Sequence, residues 1–145
     1  MDEQLRAQAR RAAQGEPGER ERWELQALRA GLPVVRTAGV YRCHPEEAHW
    51  VSWLRFYPDG LVLVVSTIPS ATPADLLRWF APHTGHLGRG AWTLDGARLS
   101  FVSTSAEGRV DYEGVVEGEE LLLDTHSHIN GWRAKLRYAW VPLPP

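Results

Sequence analysis

One cysteine, Cys43, is all the chain contains. That excludes an internal disulfide and a metal site built from several thiolates. Charge of one sign is lacking too: 16 basic against 18 acidic residues leave a formal net charge of −2. Such a balance gives no electrostatic footprint for nucleic acid or for an anionic membrane surface. No window approaches the ~18 apolar residues of a membrane span. The N-terminal MDEQLRAQARRAAQGEPGERERWE has no apolar core of a signal peptide. Together these absences predict a cytoplasmic protein with neither nucleic acid nor membrane as partner. No catalytic or cofactor motif stands out, so no cofactor is expected.

What the chain has is turn punctuation and tryptophan. Trp50–Thr67, WVSWLRFYPDGLVLVVST, reads as two strand-like runs about a Pro-Asp-Gly turn. Similar signals recur at Leu94-Asp95-Gly96-Ala97, Ala106-Glu107-Gly108 and Ile129-Asn130-Gly131-Trp132. In 145 residues, enough for one core, there are seven tryptophans. Each carries a large apolar area and one N–H in need of a partner. They imply an aromatic core or a surface built for stacking.

Residues 1–33 read as a helical extension and 34–145 as a β-barrel domain. Leu5, Ala9, Ala12 and Ala13 form a weak helical stripe, broken at Gly15–Gly18. A second piece runs from about Glu19 to Ala30, with Gly31 as its stop. The period then drops to two. Strands are expected near 39–42, 50–57, 61–67, 86–94, 97–104, 109–117, 120–128 and 132–141. Thr72, Pro73 and Asp75 open a short helix between the third and fourth, through Phe80 to Pro82. Eight antiparallel strands in a meander fit a mainly β fold, an up-and-down, calycin-like barrel, with closure against an open sandwich left undecided.

Asn130-Gly131 as a two-residue type I′ turn would pair Ile129 with Trp132, His126 with Lys135 and Asp124 with Arg137. Asp95-Gly96 treated the same way pairs Trp92 with Leu99. Val110, Tyr112, Gly114 and Val116 then face inward, and Arg109, Asp111 and Glu113 outward. The Trp50–Thr67 hairpin is apolar on both faces. Its outer side, with Trp53, Leu63 and Val65, needs a helix as cover.

Gly39-Val40-Tyr41 followed by Leu54-Arg55-Phe56-Tyr57-Pro58-Asp59-Gly60 resembles the C-terminal region of a eukaryotic F-box protein family with a tetratricopeptide-like N-terminal segment. The resemblance spans about residues 34–104. It implies a β-rich module that recognises partners; residues 1–36 hold no F-box, so a ubiquitin-ligase role does not carry over. Gly90-Ala91-Trp92 is similar to the G-x-W signature of calycins, although that signature belongs on a first strand.

Three functional readings follow. A non-enzymatic interaction module leads, with Trp50, Trp53 and Trp79 as its surface and an unknown protein as partner. The alternative is a small apolar ligand held by Trp92, Phe101, Tyr112, Thr125, Ser127, Tyr138 and Trp140. An enzyme comes third. Cys43 and His44 point to opposite faces of an extended segment and do not pair simply. The Glu117–Glu120 carboxylates sit on a wet turn tip. Asp124, His126 and His128 share an outward face, but Arg133, Lys135 and Arg137 opposite them disfavour a cation, so no metal is expected.

Overall fold

The computed structural model describes residues 17–79 and 87–144, and the side chains of 18–78 and 87–144. Helix α1 (Pro17–Arg29) leads into β1 (Gly39–Cys43), β2 (Val51–Phe56) and β3 (Leu61–Thr67). Helix α2 (Pro73–Trp79) follows, then β4 (Gly88–Asp95), β5 (Arg98–Ser105), β6 (Gly108–Glu117), β7 (Glu120–Ser127) and β8 (Arg133–Pro142). Each strand pairs antiparallel with its sequence neighbour, and β8 pairs with β1. The barrel is closed. The stripe expected over Leu5–Ala13 and the segment Phe80–His86 lie outside the described residues.

Local chemistry sets the helix ends. Gly31, at φ +73°, closes α1 as its N–H reaches the Leu28 carbonyl (3.0 Å) while Leu32 N–H reaches Ala27 (2.9 Å). These crossed bonds are a Schellman stop. At α2, Thr72 N–H donates to Asp75 Oδ2 at 2.8 Å and Asp75 N–H to Thr72 Oγ1 at 3.4 Å, a reciprocal capping box. The Thr72 N–H and hydroxyl, both donating to Asp75 Oδ2, hold the Asp75 carboxyl below its ordinary range.

The β2–β3 register is the expected one, Phe56 opposite Val62 and Trp53 opposite Val65. Two other hairpins slip by two residues. The β4–β5 corner is Gly96-Ala97, so Trp92 pairs with Phe101 rather than Leu99. The β7–β8 loop, by contrast, is longer than two residues: Ser127 N–H donates to the Trp132 carbonyl (2.8 Å) across residues 128–131. Of the two turn residues only Gly131 has positive φ, +76°. A type I′ turn needs both, so Asn130-Gly131 does not form one. Instead Asn130 Oδ1 accepts from Trp132 N–H at 3.0 Å. His126 therefore faces Arg133, and Asp124 faces Lys135. A slip of two leaves every side chain on its expected face.

One end of the barrel is densely filled. Phe56 meets Tyr41, Trp92 and Phe101 edge-on at 5.5–5.7 Å between centroids, and Phe101 stacks on Tyr112 at 4.5 Å. Leu54, Leu99, Leu121 and Leu123 complete this core. A second cluster lies outside the sheet, where Leu76 of α2 and Leu87 cover Val51, Trp53 and Leu63. The doubly apolar hairpin thus has its cover, and α2 supplies it.

Strands β6 and β7 approach closely at Gly114, where an added Cβ would meet the Leu122 carbonyl and Leu123 Cα. Gly114→Ala should lower stability by about 1–3 kcal/mol in urea unfolding, because two paired strands must separate to admit the methyl.

Candidate functional site

Antiparallel order gives the barrel two unlike ends. At the closed end lie the corners Pro58–Gly60, Gly96-Ala97 and Gly118-Glu119 and the buried segment Val34–Arg36. Loop 44–50, the end of β3 at Thr67, the start of β4 at Gly88 and the β5–β6 and β7–β8 corners lie at the opposite end, termed the open end.

The seven residues expected to line one ligand pocket divide between these ends. Trp92 belongs to the closed end, its Nε1 donating to the Tyr57 carbonyl at 3.0 Å. Trp140 lies there too, under the Arg36 guanidinium at 3.5 Å from the ring centroid. Phe101 is core. Tyr112, Thr125, Ser127 and Tyr138 surround the inner wall toward the open end. The aromatic rings among them pack into the core, and the described residues divide the seven between the two ends.

Hydroxyls replace rings toward the open end. Tyr138 donates to Ser52 Oγ at 2.9 Å. Ser127 Oγ accepts from Ile129 N–H at 3.2 Å. Thr125 is 5% exposed, and its Oγ1 has no hydrogen-bond partner among the described residues. A cleft of about 370 Å³ opens here between β3 and β6, lined by Val64, Gly88, Ser103, Val110, Tyr112 and Glu107. It exists because β4 pairs with β3 only as far as Val64.

The rim of the same end is apolar along an arc. Trp50 meets Trp132 edge-on at 5.9 Å. The β2–β3 register carries Ile68 across from Trp50, one step past Val51–Thr67. Ile129 extends the arc over Gly108. Ile68, Ile129 and Trp132 are 66%, 47% and 40% exposed. Of the three tryptophans expected to form an interaction surface, Trp50 is on this arc. Trp53 is buried beneath α2, its Nε1 donating to Thr67 Oγ1 at 2.8 Å, and is withdrawn as a contact residue. Trp79 ends α2, and its side chain is outside the described set. Trp132, which the sequence marks only as the flank of a turn, joins Trp50 on the arc.

On the outer wall, Asp111 lies directly across from His126. His128 Nε2 reaches Asp111 Oδ2 at 2.8 Å, and the His126 and His128 rings lie 4.3 Å apart. Bonding to His128, and then Arg109, holds the Asp111 carboxyl below its ordinary range. Desolvation first, and then Arg133 and His128, lower the His126 imidazole. The carboxylate joining these histidines is Asp111, whereas Asp124 approaches Lys135 at 3.8 Å. The Gly118-Glu119 corner already fixes Asp111 opposite His126, a signal that inspection of β7 alone overlooks.

Other chemistry is occupied elsewhere. Burial pushes the Cys43 thiol up, and His44 bonds the Ala48 carbonyl at 2.9 Å. Glu117 and Glu120 both pair with Arg137, and Glu119 pairs with Arg36. Among the described residues no helix is long and apolar enough to cross a membrane.

Burial raises all four tyrosines, Tyr41, Tyr57, Tyr112 and Tyr138: Tyr112 is pushed up to about 12, and Tyr41 and Tyr138 are held well above their ordinary value. The unfolded chain sheds these protons near the ordinary value of 10.0 while the fold retains them. Their contribution is full below pH 10 and is lost as pH rises through the folded values. Urea midpoints should fall from pH 10 upward, and Tyr112→Phe should remove part of that slope.

Comparisons with protein-family models, with curated proteins and with solved structures give no match.

Proposed function

We propose that the chain is a non-enzymatic interaction module whose open rim docks an apolar, aromatic-bearing segment of a partner protein. The observation carrying this reading is the Ile68–Trp50–Trp132–Ile129 arc on a barrel whose interior is occupied by its own side chains. Tryptophan gives large contact area at small entropic cost, and partly exposed indoles at a rim serve as binding anchors.

Panning a random peptide library against the folded barrel should select aromatic-rich sequences. Trp132→Ala should weaken those peptides by about 2 kcal/mol, roughly thirtyfold, with the melting temperature little changed. Selected peptides that bind the Trp132→Ala and Trp50→Ala variants as tightly as the parent would refute the rim.

A second reading is favoured by the cleft beside Tyr112, where Ser103 and Ser105 offer hydroxyls. Barrel mouths are frequent sites for small, largely apolar ligands with one or two polar anchors. An apolar fluorescent dye should then bind saturably. Ser103→Leu should abolish that binding and Trp132→Ala leave it intact. Dye uptake surviving in Ser103→Leu would dismiss this reading.

A further inference from the structure

We infer that Asp111, His126 and His128 form a binding site for a divalent transition-metal ion, zinc being the ion to test. A nitrogen or oxygen ligand atom from each residue lies within 4.8 Å of the other two. Asp111 of β6 and His126 of β7 face each other in a register fixed by the Gly118-Glu119 corner, and His128, the first residue of the β7–β8 loop, is tied to β6 by its N–H donating to the Arg109 carbonyl at 2.9 Å. Two imidazoles and one carboxylate are a borderline donor set suited to zinc, nickel or copper, with the remaining positions left to water.

The carboxylate is only partly satisfied by the protein. Asp111 Oδ2 is held by His128, but Oδ1 is shut off from solvent and receives no hydrogen bond among the described residues. Arg109 Nε approaches that oxygen to 3.2 Å without the alignment of a hydrogen bond. A cation bridging Oδ1 or Oδ2 and the two rings would satisfy the carboxylate directly.

Arg109 also contacts His128 Nε2 at 3.1 Å, and Arg133 stands across from His126. The Arg109 side chain is 55% exposed, so it is free to swing outward when a doubly charged ion takes its place. Asp124 and Glu113 share a groove with Asp111 and His126, but Lys135 and Arg98 already pair with them, so the ion's ligands are Asp111 and the two imidazoles alone. The Arg109 guanidinium thus competes with the ion, which gives the test a direction in both senses.

Calorimetric titration of the full chain, carrying no polyhistidine tag, with zinc chloride should show saturable uptake of one ion per chain. Cobalt should give visible d–d absorption at the same site. His126→Ala, His128→Ala and Asp111→Asn should each abolish uptake, Asp124→Asn should leave it unchanged, and Arg109→Ala should tighten it. These side chains are on the outer wall, so melting curves of the variants should match the parent and separate lost binding from lost fold. Uptake that persists in both histidine variants, or no uptake by either the parent or Arg109→Ala, overturns the inference.

Discussion

The seam between β1 and β8 is the constraint on which the rest of the barrel depends. Gly39 to Arg42 pair with Ala139 to Pro142, and that ladder converts a meander with two open edges into a closed sheet. Gly39 permits the approach: an added Cβ would lie 2.5 Å from the Val141 carbonyl and 2.8 Å from the Trp140 ring. The incoming chain then locks over the seam. Arg36 covers Trp140 and pairs with Glu119, while its own N–H donates to Tyr41 Oη at 2.8 Å. Behind it, buried Glu24 of α1 accepts from Thr37 N–H and Oγ1 at 2.9 and 2.6 Å and from Arg20 at 2.9 Å. A carboxylate removed from water is tolerable here because donors surround it.

Closure gives every strand one inside and one outside, and that is the feature a sequence encodes most strongly. The alternation of apolar and polar residues in β5 to β8 was enough to assign faces, and strand count, helix stop and capping box were equally legible. Register was not. A hairpin shifted by two residues keeps each side chain on its face, so hydrophobic pattern cannot tell the alternatives apart. Only corner geometry decides, and Asn130-Gly131 has competing solutions: a tight turn, or the wider loop in which Asn130 bonds Trp132 N–H. Inferences about faces therefore survived, while pairings across β4–β5 and β7–β8 moved.

The same distinction governs the functional residues. Inward aromatics were correctly placed on the inner wall, yet face alone says nothing of depth along the barrel. Trp92 and Ser127 share a face and lie toward opposite ends, because β4 begins where β7 finishes. Trp53 shows the converse limit. Its strand needed a cover on the outer side, and the cover that satisfies this need removes the side chain from any surface. A buried apolar hairpin and an exposed docking face are mutually exclusive outcomes of one pattern, and only the position of α2 selects between them.

Both proposed sites meet on the β7–β8 loop. His128 opens it and Trp132 closes it, with Ser127 N–H bonded to the Trp132 carbonyl and Ile129 seated over Gly108. Its ends are anchored in paired strands, while its middle rests on an Asx contact and one left-handed glycine. Whatever fixes His128 against Asp111 narrows the positions open to Ile129 and Trp132, and a partner seated on Trp132 narrows those open to His128. The coupling is limited to what one short loop transmits, since the strands on either side are already held by the closed ladder. Rigid walls and one adaptable corner are what the seam makes available to the open end.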